Sequence, residues 1–171
     1  LLNTEVDVTI VGDGEIAWIE FLEYVLNNGT QWNYEELSNV PGICYLDIHN
    51  DIFFKTYGPR IPGDQMVFPD YDILESGLRH YPHLINNYFR PALTSGWFDL
   101  DPRAYEPHRK PNIAGVFSSK GCVARCTFCQ RSTMGYRVYQ TDDLDAHLKF
   151  LKSKYDVGFI MILDENFGSL K

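Results

Sequence analysis

The sequence lacks any apolar stretch approaching the ~20 residues that a membrane-spanning helix requires, so no membrane partner is expected. It also lacks a run of Lys or Arg: 15 basic residues stand against 23 acidic ones, a formal net charge of −8. Nonspecific nucleic-acid binding needs clustered cations to neutralise phosphates, so nucleic acid is not an expected partner beyond what a local basic patch could hold. The opening residues Leu1 to Glu5 carry neither a basic n-region nor an apolar h-region, and no secretory signal is read there. Cysteine is scarce, with 4 in 171 residues, and Cys122, Cys126 and Cys129 crowd into eight positions. A disulfide framework spreads its staples, so the clustering points instead to a reducing, cytoplasmic setting. No internal repeat or low-complexity tract is present. The chain starts at Leu1 and stops at Lys171, just after a candidate motif, so a fragment of a longer protein is expected.

What is present is apolar and aromatic substance. Hydrophobic residues make up 44% and aromatics 15%, enough to bury the core of one domain or parts of two. Val6, Val8 and Ile10 alternate with polar residues and predict a half-buried strand that ends at Gly12-Asp13-Gly14. From Glu15 to Leu26, Trp18, Leu22, Val25 and Leu26 recur at helical spacing, and Asn27-Asn28-Gly29 supplies a stop. Ile43 to Ile48 and Ile52 to Thr56 read as a hairpin with His49-Asn50-Asp51 at its tip. Eight of the nine prolines fall between residues 59 and 111, so regular elements there must be short. Phe68, Tyr71, Tyr81, Tyr88, Phe89, Trp97 and Phe98 are too many for a solvated linker, so this connector is expected to pack across both flanking units, with one or two short helices in Leu74 to Phe89.

The carboxyl-terminal third has the clearest pattern. Ile113 to Phe117 reads as a strand leading into Ser118-Ser119-Lys120-Gly121 and the cysteines. Thr141 or Asp142 can cap a helix whose Leu144, Leu148, Leu151 and Tyr155 fall on one stripe, with acids early and lysines late as the helix dipole favours. Val157 to Leu163 is almost wholly apolar, which suits a parallel strand buried on both faces, and it runs into Asp164-Glu165-Asn166-Phe167. Strand, loop, helix, strand is a βαβ unit, so the fold class is α/β. Ligands of such units bind at the carboxyl ends of the strands, where the cysteines and the Asp-Glu-Asn group both fall.

Three thiols spaced by three and then two residues on one loop favour an iron-sulfur cluster or zinc. Structural zinc wants four protein ligands, and His108, His147 or Cys44 would have to complete the set. A cubane cluster tolerates three, leaving one iron open to an outside ligand.

Cys122-x-x-x-Cys126-x-Phe128-Cys129, after a strand and before a helix and a second strand, resembles the cluster motif of the radical S-adenosylmethionine (radical SAM) superfamily. Gly135, Tyr136 and Arg137, the following helix and the strand ending Leu163-Asp164-Glu165-Asn166-Phe167 are similar to the first barrel unit of the members that carry a cobalamin-binding domain. Tyr139-Gln140 departs from the Arg-Ser that such relatives often show before the helix. The resemblance implies that Cys122, Cys126 and Cys129 ligate a 4Fe-4S cluster whose open iron is chelated by S-adenosylmethionine. It also implies reductive cleavage of that cofactor to a 5′-deoxyadenosyl radical. Phe128 is then expected beside the adenine, and Asp164, Glu165 and Asn166 beside the methionyl amino group, where carboxylates suit an ammonium. On the residues alone, Asp164 to Asn166 also read as a strand-end turn with solvated carboxylates.

The implied partners are a small-molecule or biosynthetic-intermediate substrate and a one-electron reductant such as ferredoxin or flavodoxin. Gly12-x-Gly14-x-x-Ala17 formally matches a dinucleotide-binding turn, but Glu15 puts a carboxylate where the pyrophosphate would sit. Two readings of Gly12, Gly14 and Glu15 stand side by side: the cobalamin side of a closing strand and helix, as the resemblance implies, or a tight turn whose glycines supply positive φ. The expected layout is residues 1–58 as the end of a Rossmann-like cobalamin-binding domain with a hairpin, 59–111 as the connector, and 112–171 as the first βαβ unit of a partial (β/α) radical SAM barrel. Cobalamin is a further expected cofactor, with its lower ligand and most of the tail pocket, by resemblance, in strands ahead of Leu1. A tRNA methylthiotransferase-like radical SAM enzyme and a zinc-binding structural module using Cys122, Cys126, Cys129 and His147 are the alternatives. Cys44 is read as a small buried apolar residue.

Overall fold

The computed structural model describes residues 6–29, 33–47, 52–91, 106, 110–129 and 135–168. The chain divides into two compact units, Leu1–Gln65 with Ala124–Met134, and Met66–Val123 with Gly135–Lys171.

In the first unit, β1 (Val8–Ile10) is followed by α1 (Gly14–Asn28), α2 (Tyr34–Leu37), β2 (Ile43–Asp47) and β3 (Ile52–Lys55). Glu15 in the first turn of α1 suits the helix dipole, and Gly29 takes φ 69 to end the helix while its N–H reaches the Val25 carbonyl at 2.8 Å. The strand-turn-helix expected of a Rossmann-like piece is present, but its sheet is antiparallel: β2 and β3 form a hairpin laid against β1, with Val8 opposite Tyr45 and Cys44 opposite Lys55. The predicted tip, His49-Asn50-Asp51, lies outside the described residues.

The predicted buried stripe of α1 is out of phase. Leu26 is 84% exposed, Trp18 and Leu22 are exposed as well, and the core is built from Tyr24, Leu37, Val40, Ile43 and Tyr45 with Phe21 and Val25 packed against it. The cause is steric. A Cβ placed on Gly42 would lie 3.0 Å from the Ala17 Cβ and 2.7 Å from the Gly58 Cα. The helix is seated where only the small Ala17 fits, and that sets which side the bulky residues present.

In the second unit, α3 (Asp72–Gly77) and α4 (Leu84–Tyr88) interrupt the proline-rich segment. They are followed by β4 (Asn112–Val116), β5 (Ser119–Lys120), β6 (Arg137–Val138), α5 (Thr141–Lys154) and β7 (Val157–Ile162). β4 and β7 pair in parallel, with Ile113 opposite Phe159 and Val116 opposite Ile162, and α5 connects them as the expected crossover. The core gathers Tyr71 and Phe89 with Ala114, Val116, Leu151, Tyr155 and Val157. The aromatics of the proline-rich segment therefore belong to a packed core. Trp97 and Phe98 lie outside the described residues.

Two expectations are corrected. The residue that caps α5 is Gln140, without a side-chain cap bond, rather than Thr141 or Asp142; Asp142 and Asp143 serve the first turn by charge. β7 was expected to be buried on both faces, yet Ile160 to Leu163 are 37–44% exposed. Among the described residues its sheet holds only β4 and β7, so one edge and much of one face are uncovered. The ladder of β5 and β6 pairs Ser119 with Val138 and Lys120 with Arg137, and so pins both ends of the segment that carries the three cysteines. Two-residue strands have no periodicity to read. No helix among the described residues is long and apolar enough to cross a membrane.

Candidate metal centre

The parallel ladder continues past its last named pair, with the Leu163 N–H reaching the Val116 carbonyl at 2.9 Å. That register sets Asp164 against the residues that follow β4. Its Oδ1 accepts the backbone N–H groups of Ser118 (2.7 Å) and Ser119 (3.1 Å). Its Oδ2 accepts the two serine hydroxyls, at 2.5 Å and 2.8 Å. Partial burial raises the carboxyl's pKa, but the hydrogen bonds from the two serines outweigh it and hold the group below the ordinary Asp value. Ser119 is almost fully buried.

Two residues further on, the Asn166 side-chain amide donates to the Cys122 Sγ at 3.5 Å, within reach for a sulfur acceptor. The Asn166 carbonyl accepts the Ser119 hydroxyl, also at 3.5 Å. Glu165 and Phe167 are exposed. The structure thus joins Asp164, Asn166 and Cys122 into one network with Ser118 and Ser119. Sequence reasoning singles out the first three and misses the serines. The signal available is a Ser-Ser pair directly after one strand and an Asp directly after its parallel neighbour.

All four cysteines are free thiols. Cys122 is half-buried, whereas Cys126 and Cys129 are exposed and joined by a turn in which the Cys129 N–H reaches the Cys126 carbonyl at 3.2 Å. Phe128 is 90% exposed. Cys44 is buried within β2. Among the described residues no three His, Cys, Asp or Glu side chains are gathered into a metal-holding group. The donor set itself fits an iron-sulfur centre: three unoxidised thiols within eight residues, two of them reachable from solvent and the third held by an amide donor.

The other candidates have structural surroundings. Gly12 has φ 92, and its turn is packed against backbone: the Val11 N–H bonds the Gly42 carbonyl at 2.7 Å and the Gly58 N–H bonds the Val11 carbonyl at 3.0 Å. Gly14 opens α1, and Glu15 follows it in the first turn. His147 stacks on Phe68 at 4.0 Å, Phe68 stacks in turn on Tyr139 at 4.3 Å, and burial holds the imidazole below its ordinary pKa. The ring lines a cavity of about 450 Å³ with Phe68, Phe150, Met66 and Asp143.

No protein-family model matches the chain, and no curated protein sequence matches it. Among solved structures, apo, selenomethionine-labelled OxsB, a cobalamin-dependent S-adenosylmethionine radical enzyme, is similar over 94% of this chain, with a TM-score of 0.57 and 18% sequence identity. The chain spans 18% of that chain's length. At this identity the likeness is one of fold, a mixed α/β architecture with a parallel strand pair.

Proposed function

We propose that the chain is part of a radical SAM enzyme of the cobalamin-dependent kind. In it Cys122, Cys126 and Cys129 hold a 4Fe-4S cluster that binds S-adenosylmethionine. One observation carries the reading: a loop with three free thiols leaves the carboxyl end of a parallel βαβ strand in a fold shared with an enzyme of that description. The chemistry such a centre supplies is one-electron reduction of S-adenosylmethionine, giving methionine and a 5′-deoxyadenosyl radical that takes hydrogen from a substrate. A ferredoxin- or flavodoxin-like reductant provides the electron. The substrate class is a small molecule or biosynthetic intermediate, as in a methyltransferase or ring-forming enzyme.

The chain's own residues divide the remaining work. Asp164 has both oxygens engaged by serine donors and Asn166 faces Cys122, so exposed Glu165 takes the methionyl ammonium in this reading. Exposed Phe128 offers an apolar face to the adenine. Cobalamin enters through the neighbour's description alone, because the Gly12 turn is packed against Gly42 and Gly58.

The test is anaerobic reconstitution with iron and sulfide, metal and labile-sulfide analysis, and EPR of the reduced protein with and without S-adenosylmethionine. A cubane signal that shifts on adding S-adenosylmethionine is expected. Alanine at Cys122, Cys126 or Cys129 abolishes assembly, and Cys44→Ala leaves it intact. A colourless protein holding zinc, or a Cys126→Ala variant that keeps iron and sulfide, overturns the reading.

A further inference from the structure

The segment after β7 does more than end a strand. Residues 118–120 are held from two sides: from β7 by the four bonds to Asp164, and from β6 by the ladder and by the Tyr139 N–H on the Ser118 carbonyl at 3.1 Å. Gly121 then takes φ 80, a left-handed turn that favours glycine, and Cys122 comes directly after it. The Cys122 sulfur therefore hangs from a backbone already fixed on its amino-terminal side. On the opposite side, Asn166 is held through its carbonyl by Ser119 and offers its amide to that sulfur. Donor and acceptor are both aimed by the same Ser118-Ser119 turn.

An N–H donated to a metal-bound thiolate withdraws charge from the sulfur, favours the reduced cluster and orients the ligand. We propose that Asn166 is a positioning residue for the first cysteine ligand, aiming the Cys122 sulfur and raising the reduction potential of the cluster held there, with Asp164 acting behind it by pinning Ser118 and Ser119. This inference rests on the radical SAM reading and assigns Asn166 a role separate from contact with S-adenosylmethionine.

The full 171-residue chain is reconstituted as wild type, Asn166→Leu, which removes the donor at similar size, and Asn166→Gln, which keeps an amide donor. Iron and sulfide are counted, and the potential is then measured by EPR-monitored redox titration without S-adenosylmethionine. All three proteins are expected to bind the cluster. Asn166→Leu shifts the reduction equilibrium several-fold toward the oxidised state, on a scale where tenfold is about 59 mV for one electron, and Asn166→Gln moves part of the way back. A structural role alone would change cluster content and leave the potential where it was. Full cluster content with an unchanged potential in Asn166→Leu overturns the proposal and leaves the radical SAM reading standing.

If the wild type takes up no iron and sulfide, that reading fails, and the aiming of Cys122 is decided in the apo chain. There, with Cys44, Cys126 and Cys129 replaced by Ala, the rate of Cys122 alkylation by a neutral reagent is compared with and without Asn166→Leu. A changed rate supports the contact, and an identical rate overturns it.

Discussion

Each unit has a strand-end turn held by a carboxylate, and the two turns serve opposite ends. In the first unit, buried Asp13 accepts the Ile61 N–H at 3.2 Å, and the turn it belongs to closes directly onto the backbone of Gly42 and Gly58. In the second, Asp164 gathers two serines, and the chain beyond them leads to thiols. The first turn fills its surroundings with main chain and leaves no room for a side chain; the second holds its backbone still in order to present one. A glycine-rich turn and a carboxylate at a strand end therefore do not define a ligand site. The residues immediately beyond the turn do.

Substitutions can break that contrast. Gly58→Ala is expected to have the largest effect, because its Cβ would lie 2.8 Å from the Asp13 carbonyl oxygen, and backbone cannot step aside. Overpacking of this kind costs about 2–3 kcal/mol. Gly168→Ala in the second unit has φ 75 but nothing within 4 Å of the added Cβ, so it carries only the conformational penalty, about 1 kcal/mol. Chemical denaturation of the two variants checks the ranking; equal losses would mean that the first turn is not closely packed.

Asp164→Ala comes next. It removes the acceptor of four donors, at about 1–2 kcal/mol, and it speeds tryptic cleavage after Lys120. The pH dependence has a definite sign. The folded carboxyl titrates below the ordinary Asp value of about 3.9, so its stabilisation is complete above that value and is lost as pH falls from it through the folded pKa. The stability gap between wild type and Asp164→Asn should close below about pH 4. A gap that persists into strong acid would remove the charged clamp from the account.

The smallest effect is at His147. Burial depresses its pKa below the ordinary value of about 6.5, so the unfolded chain binds the proton more readily, and stability declines as pH falls below about 6.5 toward the folded pKa. His147→Phe keeps the ring stack on Phe68 and flattens that decline in thermal melts taken between about pH 5 and 7. An unchanged slope would exclude the imidazole as its source.

The cysteine spacing, the βαβ order and the lengths of α1 and α5 are legible because each is written in contiguous residues. The buried face of α1 is not: hydrophobicity favours Trp18, Leu22 and Leu26, and the close approach of Gly42 and Gly58, far along the chain, favours Ala17 instead. The exposure of β7 is also hidden, since an apolar run reads as buried whether or not a neighbour covers it. At the site, Asp164, Asn166 and Cys122 stand out as chemistry-bearing residues. The bonds that join them span 44 to 46 positions, and local pattern does not reach that far.

That span also bears on the order in which the molecule is built. The hairpin of β2 and β3 brings together residues about a dozen apart, whereas the parallel pairing of β4 with β7 must close a loop of roughly 45. Pairing at short separation forms early and pairing at long separation late, so Cys122 meets Asn166 only near the end of folding. Until then all three loop thiols stand open to solvent and to one another. A chain refolded in air competes with its own oxidation, and one refolded under reductant reaches the strand-end network with its sulfurs intact.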